Sequence, residues 1–204
     1  MRYLFFIAAG YCCGSILFAY FLPKIFYHVD ITQMSEDKNP GTHNVFKYGN
    51  KRVGIEVLIL ELLKGFLPIY LGAQFLDINN NIFAVVMAAP VLGHAYPLYR
   101  HGRGGKAIAV SFGVLMGLYP IITPLCLLIL FYLIFSCILR ISPDACKSIV
   151  TFICFGISSL LLNDSRAVAA GCIIISVIVL HRHRQRGVME NLEVSLFQKE
   201  LFGR

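Results

Sequence analysis

The chain has 204 residues, of which 57% are hydrophobic and only 14% carry a charged side chain. Soluble globular domains usually contain about a quarter charged residues, so this composition argues against a soluble protein and favours a membrane protein. The formal net charge of +7 is accompanied by no nucleic-acid-binding motif, and we therefore expect no nucleic-acid partner. The seven cysteines show no paired metal-ligand spacing, so neither a metal nor another cofactor is predicted.

The apolar residues fall into successive segments, and a helix of about 20 such residues crosses about 30 Å of hydrocarbon. This pattern predicts an all-α integral membrane protein, with residues 1–204 forming a single membrane-embedded domain of about seven transmembrane helices. Because the fourth, sixth and seventh segments are short and need flanking residues, five spans is an alternative. The predicted spans are Tyr3–Pro23, Val53–Phe75, Ile82–Tyr99, Ile108–Tyr119, Ile121–Leu139, Ile149–Leu162 and Ala167–Leu180.

The basic residues alternate between the connections that join these segments. All but three of the 18 lysine and arginine residues fall in the first, third and fifth connections and in the C-terminal tail. Such segments usually lie on the cytoplasmic side of a membrane. We therefore predict a multi-pass protein of the cell membrane, with its N-terminus outside and its C-terminus in the cytoplasm.

The first connection contains a turn-rich polar stretch, from Asp30 to Gly49. Its density of hydrogen-bond donors suits an anion, although a plain solvated connector gives a similar composition. The donors lie close together in the sequence, at Ser35, Lys38, Asn39, His43, Asn44 and Lys47.

Two charged residues lie inside the second apolar segment, at Glu61 and Lys64. Charges at membrane depth are costly and either mark function or pair with each other. Residues three apart share one face of a helix, so this spacing predicts an ion pair.

The third connection carries the strongest signal, the stretch Gly93-His94-Ala-Tyr-Pro97 followed by Arg103-Gly104-Gly105-Lys106. Glycines let backbone amides approach a ligand closely. Together with the flanking cations and the start of a helix after Lys106, they predict a phosphate cradle. No Ser or Thr follows the lysine, so this is not the nucleotide-binding P-loop.

The tail contains the basic cluster His181-Arg-His-Arg-Gln-Arg186, with Asn191 a few residues later. Juxtamembrane arginines commonly bind anionic lipid headgroups, whereas the histidines offer bases that titrate near neutral pH. Both interpretations stay open from the residues alone. The chain lacks a Ser-His-Asp set, and it lacks the His-x4-Asp spacing of the common glycerolipid acyltransferases.

At these residues the chain resembles the bacterial acyl-phosphate:glycerol-3-phosphate acyltransferase family, the PlsY type. Asp37–Val45 with Phe46–Gly49 resembles its motif Gly-Ser-Gly-Asn-x-Gly-Ala-Thr-Asn-Val followed by x-Arg-x-x-Gly. Glu61–Pro68 resembles an acidic residue followed by x-Leu-Lys-Gly-x-x-Pro. Gly93–Pro97 with Arg103–Val110 resembles Gly-His-x-x-Pro followed by Lys-Gly-Gly-Lys-Gly-x-Ala-Thr. The motifs follow in the family's order.

The chain departs from these motifs at several positions. Glu36-Asp37-Lys38 replaces Gly-Ser-Gly, so Ser35 is only an offset candidate for the family serine. Lys47 stands for an arginine, Arg103 for a lysine, Ala107 for a glycine and Val110 for a threonine. Extra residues precede Asn191 in the tail, where the family has Arg-His-Arg-x-Asn.

The resemblance implies transfer of a fatty acyl group from acyl phosphate to the 1-hydroxyl of glycerol 3-phosphate, in contact with membrane lipids. A transporter or a lipid-binding membrane protein is the alternative. The implied catalytic residues are Ser35, Lys106 and His183, and the base is either His183 or the substrate phosphate. The implied phosphate-binding residues are Asn39, Asn44, Lys47, Arg103, Gly104, Gly105 and Asn191, and the supporting residues are Glu61, Lys64 and His94.

Overall fold

The structure, a computed structural model, describes residues 1–186 and 193–194. The helices are α1 (Arg2–Ser15), α2 (Phe18–Phe26), α3 (Ile31–Met34), α4 (Thr42–Tyr48), α5 (Lys51–Phe75), α6 (Phe83–Ala95), α7 (Ile108–Met116), α8 (Thr123–Leu133), α9 (Asp144–Leu162) and α10 (Arg166–Arg186). A 3-10 turn covers Leu98–Arg100, and a π-helical turn, Ile134–Ile138, extends α8. Two short strands, β1 (Ile141–Ser142) and β2 (Glu193–Val194), pair antiparallel and connect the tail to the segment before α9.

Each of the apolar segments contains a helix, so a mostly helical fold is confirmed, with one short pair of strands beside it. Within the described residues, α9 and the Arg166–Arg184 part of α10 are long and apolar enough to cross a membrane alone. The pair α1 and α2, bent by 41°, qualifies as a third span. The count of seven spans therefore stays a prediction.

The structure changes the predicted bounds of three segments. The sixth and seventh are full-length helices of 19 and 21 residues, because α9 begins at Asp144 and α10 at Arg166. An acidic residue in the first turn suits the positive end of a helix, which explains the early start of α9. The first segment, predicted as a single span, breaks between Ser15 and Phe18. The two bent helices together still qualify as one span.

Glycines bring two pairs of helices into close contact. A Cβ atom on Gly14 of α1 would overlap the carbonyl oxygen of Pro90 in α6, and one on Gly113 of α7 would overlap that of Leu62 in α5. Small residues at such crossings let helix backbones approach and pack in a membrane. The close packing holds the end of α6 and the start of α7 beside α1 and α5, where the polar loops meet.

Candidate active site

The first and third polar motifs meet through an ion pair. The ammonium of Lys106, just before α7, lies 2.9 Å from Oδ2 of Asp37, in the loop between α3 and α4. Both side chains are about one-fifth exposed, so the pair lies at the mouth of the site and can be reached from solution. The cation that the sequence assigns to a substrate anion is thus held by an anion of the chain itself.

Two asparagines orient the Asp37 carboxylate. Its Oδ1 accepts hydrogen bonds from the backbone N–H of Asn39 at 3.1 Å and from the side-chain amide of Asn44 at 2.9 Å. The same Asn44 nitrogen donates to the carbonyl of Asn39 at 2.9 Å, which closes the turn. Partial burial raises the pKa of the Asp37 carboxyl, but the Lys106 ammonium and the bonds from Asn44 and Asn39 outweigh it. The pKa therefore lies below its ordinary value, and Asp37 is ionised at neutral pH.

Arg182 of α10 fixes the shape of the glycine-rich loop. Its guanidinium donates to the carbonyls of Gly104, Gly105 and Gly102 at 2.7, 3.2 and 3.4 Å. The side chain is buried and lies over the ring of Tyr96, 5.0 Å from its centroid. Arg182 therefore supports the loop that presents Lys106, whereas the sequence suggested a headgroup-binding arginine.

The glycines of this loop pack closely against the end of α6. The N–H of Gly105, expected to face a phosphate, donates to the carbonyl of His94 at 3.0 Å. A Cβ atom on Gly104 would overlap that same carbonyl, and one on Gly105 would overlap the His94 ring. The pair is needed so that the loop can pack on the end of α6. In this conformation the Gly105 amide is bound to the His94 carbonyl, and the phosphate-binding role of the two glycines stays a prediction.

His183 lies in α10 one residue after Arg182, and its ring is almost completely buried. Its Nδ1 is 2.9 Å from the carbonyl of Val179, one helical turn earlier. A carbonyl can only accept, so Nδ1 carries a proton and Nε2 is the nitrogen left to accept one. The ring lies within electrostatic range of Asp37 and Lys106, so the structure does bring this predicted residue to the site.

A second buried cluster joins Glu61, Lys64 and His94 below the loops. Glu61 Oε2 lies 2.7 Å from the Lys64 ammonium and 3.0 Å from His94 Nδ1, so the ion pair that the spacing predicts is present. Lys64 also donates to the carbonyl of Ile16 at 2.6 Å, and Glu61 Oε1 accepts from the N–H of Ala19 at 3.5 Å. The cluster thus provides a cation to the end of α1 and an anion to the start of α2. These are the charges that a broken helix needs at its two exposed ends.

The remaining predicted residues are more dispersed. Ser35 is buried, and within the described part of the chain its hydroxyl has no hydrogen-bond partner; the residue of this loop that contacts Lys106 is Asp37 instead. Lys47 on α4 and Arg103 are exposed side chains. Asn191 lies outside the described residues.

Two non-glycine residues have left-handed backbones at positions where the resemblance places glycine. Lys38 has φ +49° and Ala107 has φ +63°. This conformation costs about 1–2 kcal/mol in residues other than glycine. Glycine would therefore occupy both positions at lower cost, which gives a physical reason for the glycines of the motif.

Sequence reasoning missed the roles of Asp37 and Arg182. The signal for Asp37 was an acidic residue within a motif that otherwise offers donors and cations. No local signal identified Arg182, because its partners are about 80 residues earlier in the chain. Together they define a site in which a loop held by Arg182 pairs the Lys106 cation with the Asp37 carboxylate.

The geometry describes a class of protein: a helical membrane protein in which polar loops meet at one end of the bundle around an anion-binding lysine. A family model described as glycerol-3-phosphate acyltransferase matches residues 4–189. The chain belongs to this family, and the resemblance read from the motifs is confirmed.

Individual relatives agree with this assignment. The chain is 37% identical over 185 residues to a glycerol-3-phosphate acyltransferase of Bacillus cytotoxicus, which covers 90% of this chain and 88% of that protein. It is 34% identical over 188 residues to one from Cupriavidus necator, covering 91% of both. The crystal structure of PlsY, an integral membrane glycerol 3-phosphate acyltransferase in its glycerol 3-phosphate form, has a TM-score of 0.79 at 26% identity. That match covers 100% of this chain and 94% of PlsY.

Proposed function

We propose that this protein is a membrane acyltransferase that moves a fatty acyl group from acyl phosphate to the 1-hydroxyl of glycerol 3-phosphate. The products are lysophosphatidic acid, for phospholipid synthesis, and orthophosphate. The observation that carries the proposal, beside family membership, is the Lys106 ammonium on a loop fixed by Arg182. It holds a carboxylate at 2.9 Å, the kind of contact that a substrate phosphate makes.

The site suits this chemistry because acyl phosphate is already activated. No covalent enzyme intermediate is required, so positioning and charge stabilisation supply most of the rate. Lys106 binds a phosphate. Arg182 holds the glycine-rich loop in position while negative charge develops on the leaving phosphate. The lipid chain of the donor stays among the apolar helices while its compact head reaches the loop.

The transporter alternative predicts a broken helix with buried charges, and the chain has both at the α1–α2 break. There, however, the charges of Glu61 and Lys64 bind each other and the backbone ends of the two helices. Groups satisfied in this way support the fold, and family membership favours the enzyme.

Donor choice tests the proposed reaction. Purified protein supplied with radiolabelled glycerol 3-phosphate is expected to form lysophosphatidic acid from acyl phosphate, and at no comparable rate from acyl-CoA. Orthophosphate is expected to inhibit, since it is a product that competes for Lys106. Rapid acylation from acyl-CoA, with none from acyl phosphate, would contradict the proposed donor.

Seven spans with the loops in the cytoplasm remain our proposal for the topology. The helix directions support it. Hydroxyl contacts near the two ends of α1 show that α1 and α6 run in the same direction. Gly113 and Gly117 of α7 pack on Leu62 and Phe66 of α5, so this pair is parallel as well. The contact of Gly156 with Ser176 belongs to an antiparallel pair, α9 and α10. These relative directions are the ones expected if successive spans cross the membrane in alternating directions.

Cysteine labelling tests the orientation. In a cysteine-free background, single cysteines at the exposed positions Lys47 and Arg103 are expected to be shielded from a membrane-impermeant thiol reagent in intact cells. Asn80, exposed in the connection between α5 and α6, serves as the matched outside position and is expected to react. The reverse labelling pattern would invert the proposed topology.

A further inference from the structure

The two oxygens of the Asp37 carboxylate have different surroundings. Oδ1 is fixed by the backbone N–H of Asn39 and the side-chain amide of Asn44, at 3.1 and 2.9 Å. Among the described residues, Oδ2 is held by Lys106 alone, at 2.9 Å. One oxygen therefore orients the carboxylate, while the other is bound by the group that we propose holds a substrate phosphate.

Substrate binding removes the contact between Oδ2 and the Lys106 ammonium. A phosphate dianion competes with the single charge of Asp37 for the Lys106 ammonium, because charge-assisted bonds strengthen with the charge of the acceptor. As the ammonium turns to the phosphate, Oδ2 loses its partner while Oδ1 keeps the carboxylate in place. The departing cation and the arriving dianion both raise the pKa of Asp37 from its depressed value in the free protein. The carboxylate thus becomes a better proton acceptor when the acceptor substrate is bound.

The other titratable groups around Asp37 are less suited to accept the proton. The groups that face it electrostatically are Lys106, Lys47 on α4 and His183 on α10. The two lysines are cations and have no lone pair to offer. The Asp144 carboxylate, at the start of α9, faces Lys106 but is bound by Lys147 at 2.6 Å. The His183 ring is 1% exposed, whereas the Asp37 side chain is 22% exposed and lies at the mouth of the site. A three-carbon acceptor held at Lys106 by its phosphate is short enough to bring its hydroxyl to Asp37.

We infer that Asp37 is the catalytic base that takes the proton from the acceptor hydroxyl, an inference that rests on the proposed function. The hydroxyl oxygen bonds to the acyl carbon, and its proton passes to Oδ2 of Asp37. The bond between the acyl carbon and the phosphate oxygen breaks, and its electron pair leaves with the phosphate. Asp37 then returns the proton to that phosphate, which departs as hydrogen phosphate. No oxidation or reduction occurs, and no further reactant is needed.

The test compares Asp37→Asn with Glu36→Gln in the full-length protein. The asparagine side chain would keep the size and the Oδ1 acceptor of the native aspartate, whereas Glu36 is an exposed acid one residue away with no contact to Lys106. We expect Asp37→Asn to lower kcat about a hundredfold or more, the usual range for a lost general base. The KM for glycerol 3-phosphate is expected to stay equal or fall, because Lys106 loses the carboxylate that it contacts at 2.9 Å. Glu36→Gln is expected to leave both constants unchanged.

The pH profile separates a base from a mere competitor for Lys106. The wild-type kcat is expected to decline towards acid pH as Asp37 becomes protonated, and the part of this decline due to Asp37 should disappear in Asp37→Asn. Substrate ionisation is common to both proteins, so their ratio isolates Asp37. Asp37→Glu, which retains a carboxylate, is expected to recover part of the rate and serves if the asparagine variant does not fold.

Two results would overturn the inference. If Asp37→Asn lowers KM but leaves kcat within threefold, the carboxylate only competes with substrate. If the kcat ratio does not vary with pH, Asp37 is not the titrating base. Wild-type protein that turns over no acyl phosphate would instead refute the proposed function itself, so the two failures are distinguishable.

Discussion

Replacing Lys64 with methionine is expected to lower the free energy of unfolding by about 3–5 kcal/mol, the usual cost of removing one partner from a buried ion pair. The Lys64 ammonium is bound by Glu61 at 2.7 Å and by the carbonyl of Ile16 at 2.6 Å. Both groups are left without this cation in the variant, and little water reaches them. The thermal midpoint of the purified protein in detergent, with denaturant titration, measures the loss.

An exposed ion pair in the same helix provides the control. Arg52 and Glu56 are 3.3 Å apart, and their side chains are 84% and 41% exposed, so Arg52→Met should cost less than about 1 kcal/mol. Adding Glu61→Gln to Lys64→Met removes the uncompensated charge and should recover part of the stability. A Lys64→Met loss no larger than that of Arg52→Met would mean that the cluster does not hold the α1–α2 break together.

The features that could be predicted from the sequence are those that depend on residues close together in the chain. Apolar length identified the helices, since each segment must bury its backbone polar groups within itself. The three-residue spacing of Glu61 and Lys64 identified their ion pair because it places both on one helix face. These features require no knowledge of the tertiary fold.

The helix break could not be predicted in this way. Its ends are satisfied by side chains of a different helix, and Lys64 is 48 residues from Ile16 in the chain. Composition alone favours a continuous helix through the Ile16 region. Only the packing of α5 beside α1 and α2 shows that the backbone groups left unpaired at this interruption are bound by side chains of α5.

The sequence indicated which charged side chains belong to the polar loops, but not how these side chains pair with one another. The density of cations and amide donors predicted a lysine that binds a substrate anion, which stays a prediction; in this structure Lys106 is paired with Asp37. Nothing in the sequence favoured one loop cation over another as a phosphate ligand. In the structure, Arg103 and Lys47 are exposed. Arg182 had been grouped with surface arginines, because nothing near it in the chain shows that its partners are glycine carbonyls.

Removing the Lys106 ammonium is expected to have a large effect on catalysis. Loss of one charge-assisted contact to phosphate costs roughly 1.5–3 kcal/mol, which corresponds to a fall in kcat/KM of about 10- to 150-fold for Lys106→Ala. The Lys106 side chain is partly exposed and contributes little to the core, so the variant should insert in the membrane and purify normally. Steady-state kinetics with acyl phosphate and glycerol 3-phosphate measure the change.

Lys51→Ala is the matched control, because Lys51 is an exposed lysine at the start of α5 with no contact to the site. It should retain wild-type kinetics. Lys106→Arg keeps the charge on a longer, planar group, so it should recover part of the rate if charge is what matters and little if position dominates. Orthophosphate should lose its inhibition in Lys106→Ala in proportion to the fall in kcat/KM, since product and acceptor use the same cation. Wild-type kinetics from Lys106→Ala, with full inhibition by orthophosphate, would place the phosphate elsewhere and leave Lys106 as the partner of Asp37 only.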